Sequence, residues 1–110
     1  MEIKINYKDW RIEEETGYKP LTTSYMDLSI AEPFGVNAIK DTYKTLKRNF
    51  KGNVKYLTEL TMALNWKTWE HYNSNREMAK LYNDLYQEMD DYCYNTFKGD
   101  DLTYYLRTTD

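Results

Sequence analysis

The residues with reactive side chains are few. His71 is the single histidine and Cys93 the single cysteine in 110 residues. One of each excludes disulfide frameworks, zinc-finger ligand sets and most nucleophile–base pairs. A Ser–His–Asp or Cys–His site would have to use His71, and neither Ser29 nor Cys93 stands near it in the chain. His71 closes a helical stretch, where an imidazole complements the helix dipole. Cys93 shares an apolar stripe with Met89 and Phe97, which predicts an inert buried thiol. Asp90-Asp91 and Asp100-Asp101 are adjacent pairs. Helical neighbours point to different sides, which suits neither a shared proton nor a metal ion. There is no Gly-rich phosphate loop, HExxH or EF-hand pattern, so no catalytic residue, cofactor or metal ligand is expected. The expectation is a protein that is not an enzyme.

Charge patterning points to binding instead. Residues 36–58 hold six basic side chains against one acidic, whereas residues 59–110 hold ten acidic against five basic. Lys40, Lys44, Lys47 and Lys51 fall at helical spacing and form one basic face, a candidate track for nucleic acid. Glu77, Asp84, Glu88 and Asp91 form an acidic row of similar pitch, interrupted by Lys80 and expected to lie beside Tyr86 and Tyr94. Such a row could enter the basic channel of a nucleic-acid enzyme and occupy the place of phosphates. Six residues, Glu77, Asp84, Glu88, Asp91, Tyr86 and Tyr94, are therefore the candidate contacts for a protein partner. An exposed Lys47 predicts an alanine substitution worth less than about 0.5 kcal/mol.

These side chains need elements to hold them. Ile3, Ile5 and Tyr7, then Trp10 and Ile12, alternate with polar residues, which predicts a short β-hairpin over residues 2–7 and 10–15. After Pro20 the period becomes helical. A short helix is expected over about 25–32, with Tyr25, Met26, Leu28 and Ile30 on its apolar side. A second spans 36–51 on Val36, Ile39, Tyr43, Leu46 and Phe50. Gly52 ends it and Asn53 caps the next. The helix over 54–72 has one row at Leu57, Leu60 and Leu64 and another at Met62, Trp66 and Trp69, so it should be central. Ser74 with Glu77 reads as a capping box for a helix over 75–98, and Gly99 and Asp100 lead into a final one carrying Leu102, Tyr105 and Leu106. The fold class expected is α+β, mostly α: one domain over 1–110, with a hairpin at 1–16 and a helical body of four to five helices at 24–110.

Composition agrees with one folded domain. Apolar residues make up 41% and charged residues 30%, and four Gly and two Pro leave little for a turn-rich β protein. Twelve tyrosines are unusual, and they suit half-buried positions and interfaces where the ring is covered and the hydroxyl stays polar. No stretch approaches the roughly 18 apolar residues of a membrane span, and residues 1–20 lack a signal-like apolar run. With its lone Cys93, the chain is expected to be cytoplasmic and away from membranes.

One pattern is familiar. Pro20-x-Thr22-Thr23, Met26-Asp27-x-Ser29-Ile30-Ala31-x-x-Phe34-Gly35, Tyr56-Leu57-Thr58-Glu59-Leu60, Leu64-Asn65-x-Lys67-x-Trp69 and the ending Arg107-Thr108-Thr109-Asp110 occur in that order. The chain from about residue 16 on resembles a group of short proteins carried by phages, plasmids and conjugative elements of Gram-positive bacteria. Proteins of that setting include dedicated inhibitors of host defence, among them anti-CRISPR proteins. The resemblance implies a protein-binding inhibitor, with a CRISPR effector nuclease of the bacterial host as the class of partner. The alternative is an accessory protein that binds nucleic acid or self-associates during transfer or replication of the element.

Overall fold

A computed structural model describes residues 22–109. They form five helices: α1 (Thr22–Ala31), α2 (Val36–Asn49), α3 (Val54–His71), α4 (Arg76–Thr96) and α5 (Asp100–Thr109), with a 3-10 turn at Glu32–Phe34. No strand occurs among the described residues, which makes this part all-α and corrects the expected α+β class. The alternation that suggested strands is confined to residues 2–15, which lie outside the described residues. From residue 22 onward the apolar residues recur at helical spacing, and a helix satisfies its backbone within itself.

The core forms where the apolar stripes meet. Leu28 of α1, Ile39 and Tyr43 of α2, Leu57, Leu60 and Leu64 of α3, and Tyr82 and Met89 of α4 are almost wholly buried in one cluster. α3 packs against all four other helices and is central, as the doubled apolar row predicts. The way it achieves this differs from expectation. Trp66 and Trp69 are 59% and 63% exposed, while Thr58, Glu59, Thr61, Lys67 and Thr68 are buried. Thr58, Thr61 and Thr68 donate their hydroxyls to the carbonyls of Val54, Leu57 and Leu64, at 2.6, 2.9 and 2.9 Å. A threonine bonded back to its own helix presents mostly a methyl group to its neighbours, which removes the penalty of burying it.

The helix ends follow local chemistry. Asn53 caps α3 by accepting the Tyr56 N–H at 3.1 Å. Asn75, not Ser74, caps α4, accepting the Met78 N–H at 3.1 Å. Both residues could start a helix. The one whose amide reaches the third N–H with extended backbone takes the position. Gly99 (φ 59°) makes the corner between α4 and α5, a left-handed conformation that a side chain would resist. Asp100 and Asp101 then sit in the first turn of α5, inside the helix, where carboxylates favour its dipole. α5 buries Tyr104 and Tyr105 and leaves Leu106 exposed, so the apolar face expected on Leu102, Tyr105 and Leu106 is rotated. Among the described residues no helix is long and apolar enough to cross a membrane.

Candidate functional site

The only histidine belongs to a cluster that joins four elements. His71 Nε2 lies 2.6 Å from Glu32 Oε1 of the 3-10 turn and 3.5 Å from Glu70 Oε2. Lys67 Nζ donates to Glu32 Oε2 at 2.8 Å and to Glu70 Oε2 at 2.9 Å. The Tyr25 hydroxyl of α1 donates to Glu70, and its ring lies 4.3 Å below the Lys67 ammonium. Tyr82 of α4 stacks on the His71 ring at 5.8 Å and 7°. Burial opposes the charge on Lys67, but its bonds to Glu32 and Glu70 more than offset this and hold the ammonium above its ordinary value. Glu70 is likewise pushed up by burial and pulled further down by Tyr25 and Lys67, ending below the ordinary carboxylate range.

Two carboxylates and an imidazole with donor atoms within 4.8 Å of one another resemble a divalent-ion ligand set. Lys67 already bridges both carboxylates, so the cation that such a site needs is supplied by the chain. The arrangement works as a clasp that ties α1 and the 3-10 turn to the end of α3. Sequence reading assigned His71 to the helix dipole and missed the cluster. Lys67, Glu70 and His71 share a helix side at i, i+3 and i+4, which was a readable signal, but Glu32 and Tyr25 come from far along the chain.

Cys93 is fully buried, as its stripe predicts, with Sγ 3.8 Å from Thr61 Oγ1. Burial pushes its thiol up to about 11. Alkylation by iodoacetamide at pH 8 should therefore be negligible in the folded chain and rapid in denaturant. Equal rates in the two states would place the thiol at the surface.

The charged rows are closer to each other than their separation in sequence suggests. Glu88 of the acidic row accepts from the Tyr43 hydroxyl at 3.1 Å and pairs with Lys47 of the basic row at 3.5 Å. Lys47 also lies 4.4 Å over the Tyr92 ring. Asp84 pairs with Lys80 at 3.1 Å. Asp84 and Glu88 are thus paired within the chain, and all four carboxylates of the row are exposed. Tyr94 is 59% exposed, but Tyr86 is half-buried against the core and stands two residues from Asp84, on the other side of the helix. The structure does not bring Tyr86 and the acidic row together. Lys40, Lys44 and Lys51 are exposed, and Lys44, Lys47, Arg48 and Lys51 border a groove of about 330 Å³ with Tyr43 and Tyr92 in its wall. Since Lys47 holds Glu88 and covers Tyr92, Lys47→Ala should lower stability by about 0.5–1 kcal/mol, more than a fully solvated lysine would. An unchanged urea midpoint would show that these contacts contribute nothing.

A third surface was not anticipated. Trp66, Trp69 and Tyr72 leave the C-terminal half of α3 on its uncovered side, and Trp69 packs on Tyr72 with ring centroids 5.3 Å apart. The Arg76 guanidinium lies 4.6 Å over the Tyr72 ring. No family model, curated protein or solved structure matches the chain. Function is therefore argued from these surfaces. Trp, Tyr and Arg are the residue types that dominate binding energy at interfaces, because they bury large areas with little flexibility. Periodicity misled here, since a tryptophan at core spacing looks the same in sequence whether a neighbour covers it or not.

Proposed function

We propose that this chain is a small non-enzymatic protein of a mobile element that inhibits a host defence system by binding one of its proteins, with a CRISPR effector nuclease as the target class. The observation that carries the reading is the exposure of Trp66 and Trp69 on the central helix, with Tyr72 packed on Trp69 and Arg76 over Tyr72. Two tryptophans more than half exposed make a patch that a small soluble surface rarely keeps unless something covers it. The resemblance of residues 20–69 and 107–110 to proteins of mobile elements supplies the setting. The contact is assigned to the aromatic surface in preference to the acidic row, because Asp84 and Glu88 already have cationic partners.

Cleavage assays with purified effector nucleases, guide RNA and target DNA test this. Inhibition should saturate near one chain per nuclease and weaken at least tenfold in Trp69→Ala. If Asp84→Lys with Asp91→Lys abolishes inhibition and Trp69→Ala does not, the acidic row is the contact. Absence of inhibition across the panel sinks the reading. A second reading, nucleic-acid binding by Lys40, Lys44, Lys47 and Lys51, is favoured by the groove that the last three of these lysines border with Arg48. It requires affinity for duplex or single-stranded DNA that falls with salt, by a log–log slope of about 0.7–0.9 per phosphate contacted.

A further inference from the structure

α3 and α4 run side by side and form a trough, and α5 lies in one end of it. Tyr104 of α5 packs on Val54 and Tyr56 near the start of α3. Tyr105 donates its hydroxyl to Asp90 and meets the Phe97 ring at 5.7 Å, both towards the end of α4. α5 has ten residues, about 15 Å of helix, whereas α3 has eighteen, about 27 Å. α5 is therefore too short to cover the whole of α3, and Thr68, Trp69 and Tyr72 lie at the end opposite its contacts with Val54 and Tyr56. This open half is lined by Thr68 and Trp69 of α3, by Tyr72 just after it and by Arg76, Ala79 and Asn83 of α4, around a space of about 340 Å³.

We propose that the open half-trough is the docking site for an amphipathic helix of the partner protein, apolar at i, i+3 or i+4 and carrying carboxylates beside that stripe. The proposal rests on the protein-binding reading above and names the shape and charge of what binds. Continuity argues for a helix, because the same two helices already accept one, α5, at the other end of the same trough. Charge argues for an acidic one. Arg76 makes no ion pair among the described residues and is held over Tyr72 at the wall. Lys80, also at the space, is already paired with Asp84 at 3.1 Å, so Arg76 is the cation left to meet a carboxylate, and no carboxylate is among the residues that line the space. Small side chains at Ala79 and Thr68 give the floor depth, and Trp69 forms a wall against which an apolar anchor can pack. An arginine on an aromatic face is already oriented, so it loses little freedom when it meets a carboxylate.

The test is a display library of randomised 18-residue helices panned on the full chain, with the Trp69→Ala chain as counter-selection. Selected helices should be rich in Asp and Glu next to one apolar stripe and should change the tryptophan emission on binding. Synthetic copies should bind at least tenfold more weakly to Trp69→Ala and to Arg76→Glu, both surface changes whose folding is checked by circular dichroism. Phe34→Ala, at a 79% exposed position in the 3-10 turn, should bind normally. The proposal is overturned if no binder depends on Trp69, if the binders are basic or extended, or if oligo(dT) of twenty nucleotides binds this surface with the same dependence, which would assign it to base stacking. Loss of nuclease inhibition in Trp69→Ala without helix binders would remove this occupant and leave the inhibitor reading standing. Acidic helix binders from a chain that inhibits no nuclease would do the reverse.

Discussion

Lys67→Ala is expected to destabilise the fold by about 3 kcal/mol, because it strips the shared cation from two carboxylates that cannot both move into water. The Lys67 side chain is 3% exposed and Glu32 16% exposed, so solvent cannot replace the lost ammonium well. In a domain of this size such a loss should lower Tm by roughly 10–15 °C. Glu32→Gln in the Lys67→Ala background should recover part of it, since one of the stranded charges is gone. The pH dependence follows from the same cluster. Glu70's carboxyl is held below its ordinary value, so its stabilisation is complete above that ordinary value and drains away as pH falls through the depressed one. Lys67 is held above its ordinary value, so its contribution is complete below that value and is lost only as pH rises through the elevated one. At neutral pH both contributions are intact, and in the Lys67→Ala chain acid should neutralise the stranded carboxylates and narrow the stability gap to the original as pH falls. A melt within 2 °C of the original would show that the clasp is decorative.

Leu60→Ala should be comparably damaging, at about 2–5 kcal/mol. Leu60 is wholly buried in the main core cluster on α3, the helix against which all the others pack. The lost side chain leaves a cavity that its neighbours cannot fill without bending that central helix. Thermal and urea melts should both show the loss, and a small domain with 5–15 kcal/mol in hand is left near its limit. Trp69→Ala makes the contrast, because a 63% exposed side chain has little packing to lose and should change stability by less than about 1 kcal/mol. If Leu60→Ala were silent, the central role of α3 would be wrong.

The helical body was legible from residue types and spacing. Gly52, Asn53 and Gly99 mark corners by local chemistry, and the stripes Ile39–Tyr43–Leu46 and Leu57–Leu60–Leu64 point inward because helical period alone puts them on one face. The exclusion of disulfides and the burial of Cys93 were also written in the composition and in its stripe. The candidate site was not. Glu32 meets His71 across 39 positions and Tyr25 meets Glu70 across 45, and no periodicity reports a contact between separate helices. The buried Glu59 and Lys67 read as surface residues in any pattern, since burial of a charge depends on a partner supplied by the fold. The tryptophans show the converse. Sequence placed Trp66 and Trp69 on an apolar row, but among the described residues no neighbouring helix covers that row, and α5 reaches only the other end of the trough that Trp69 borders. Sequence determined which faces are apolar, because side-chain direction follows from local backbone geometry. Tertiary structure decided which of those faces find a neighbour, because that depends on where the other helices end.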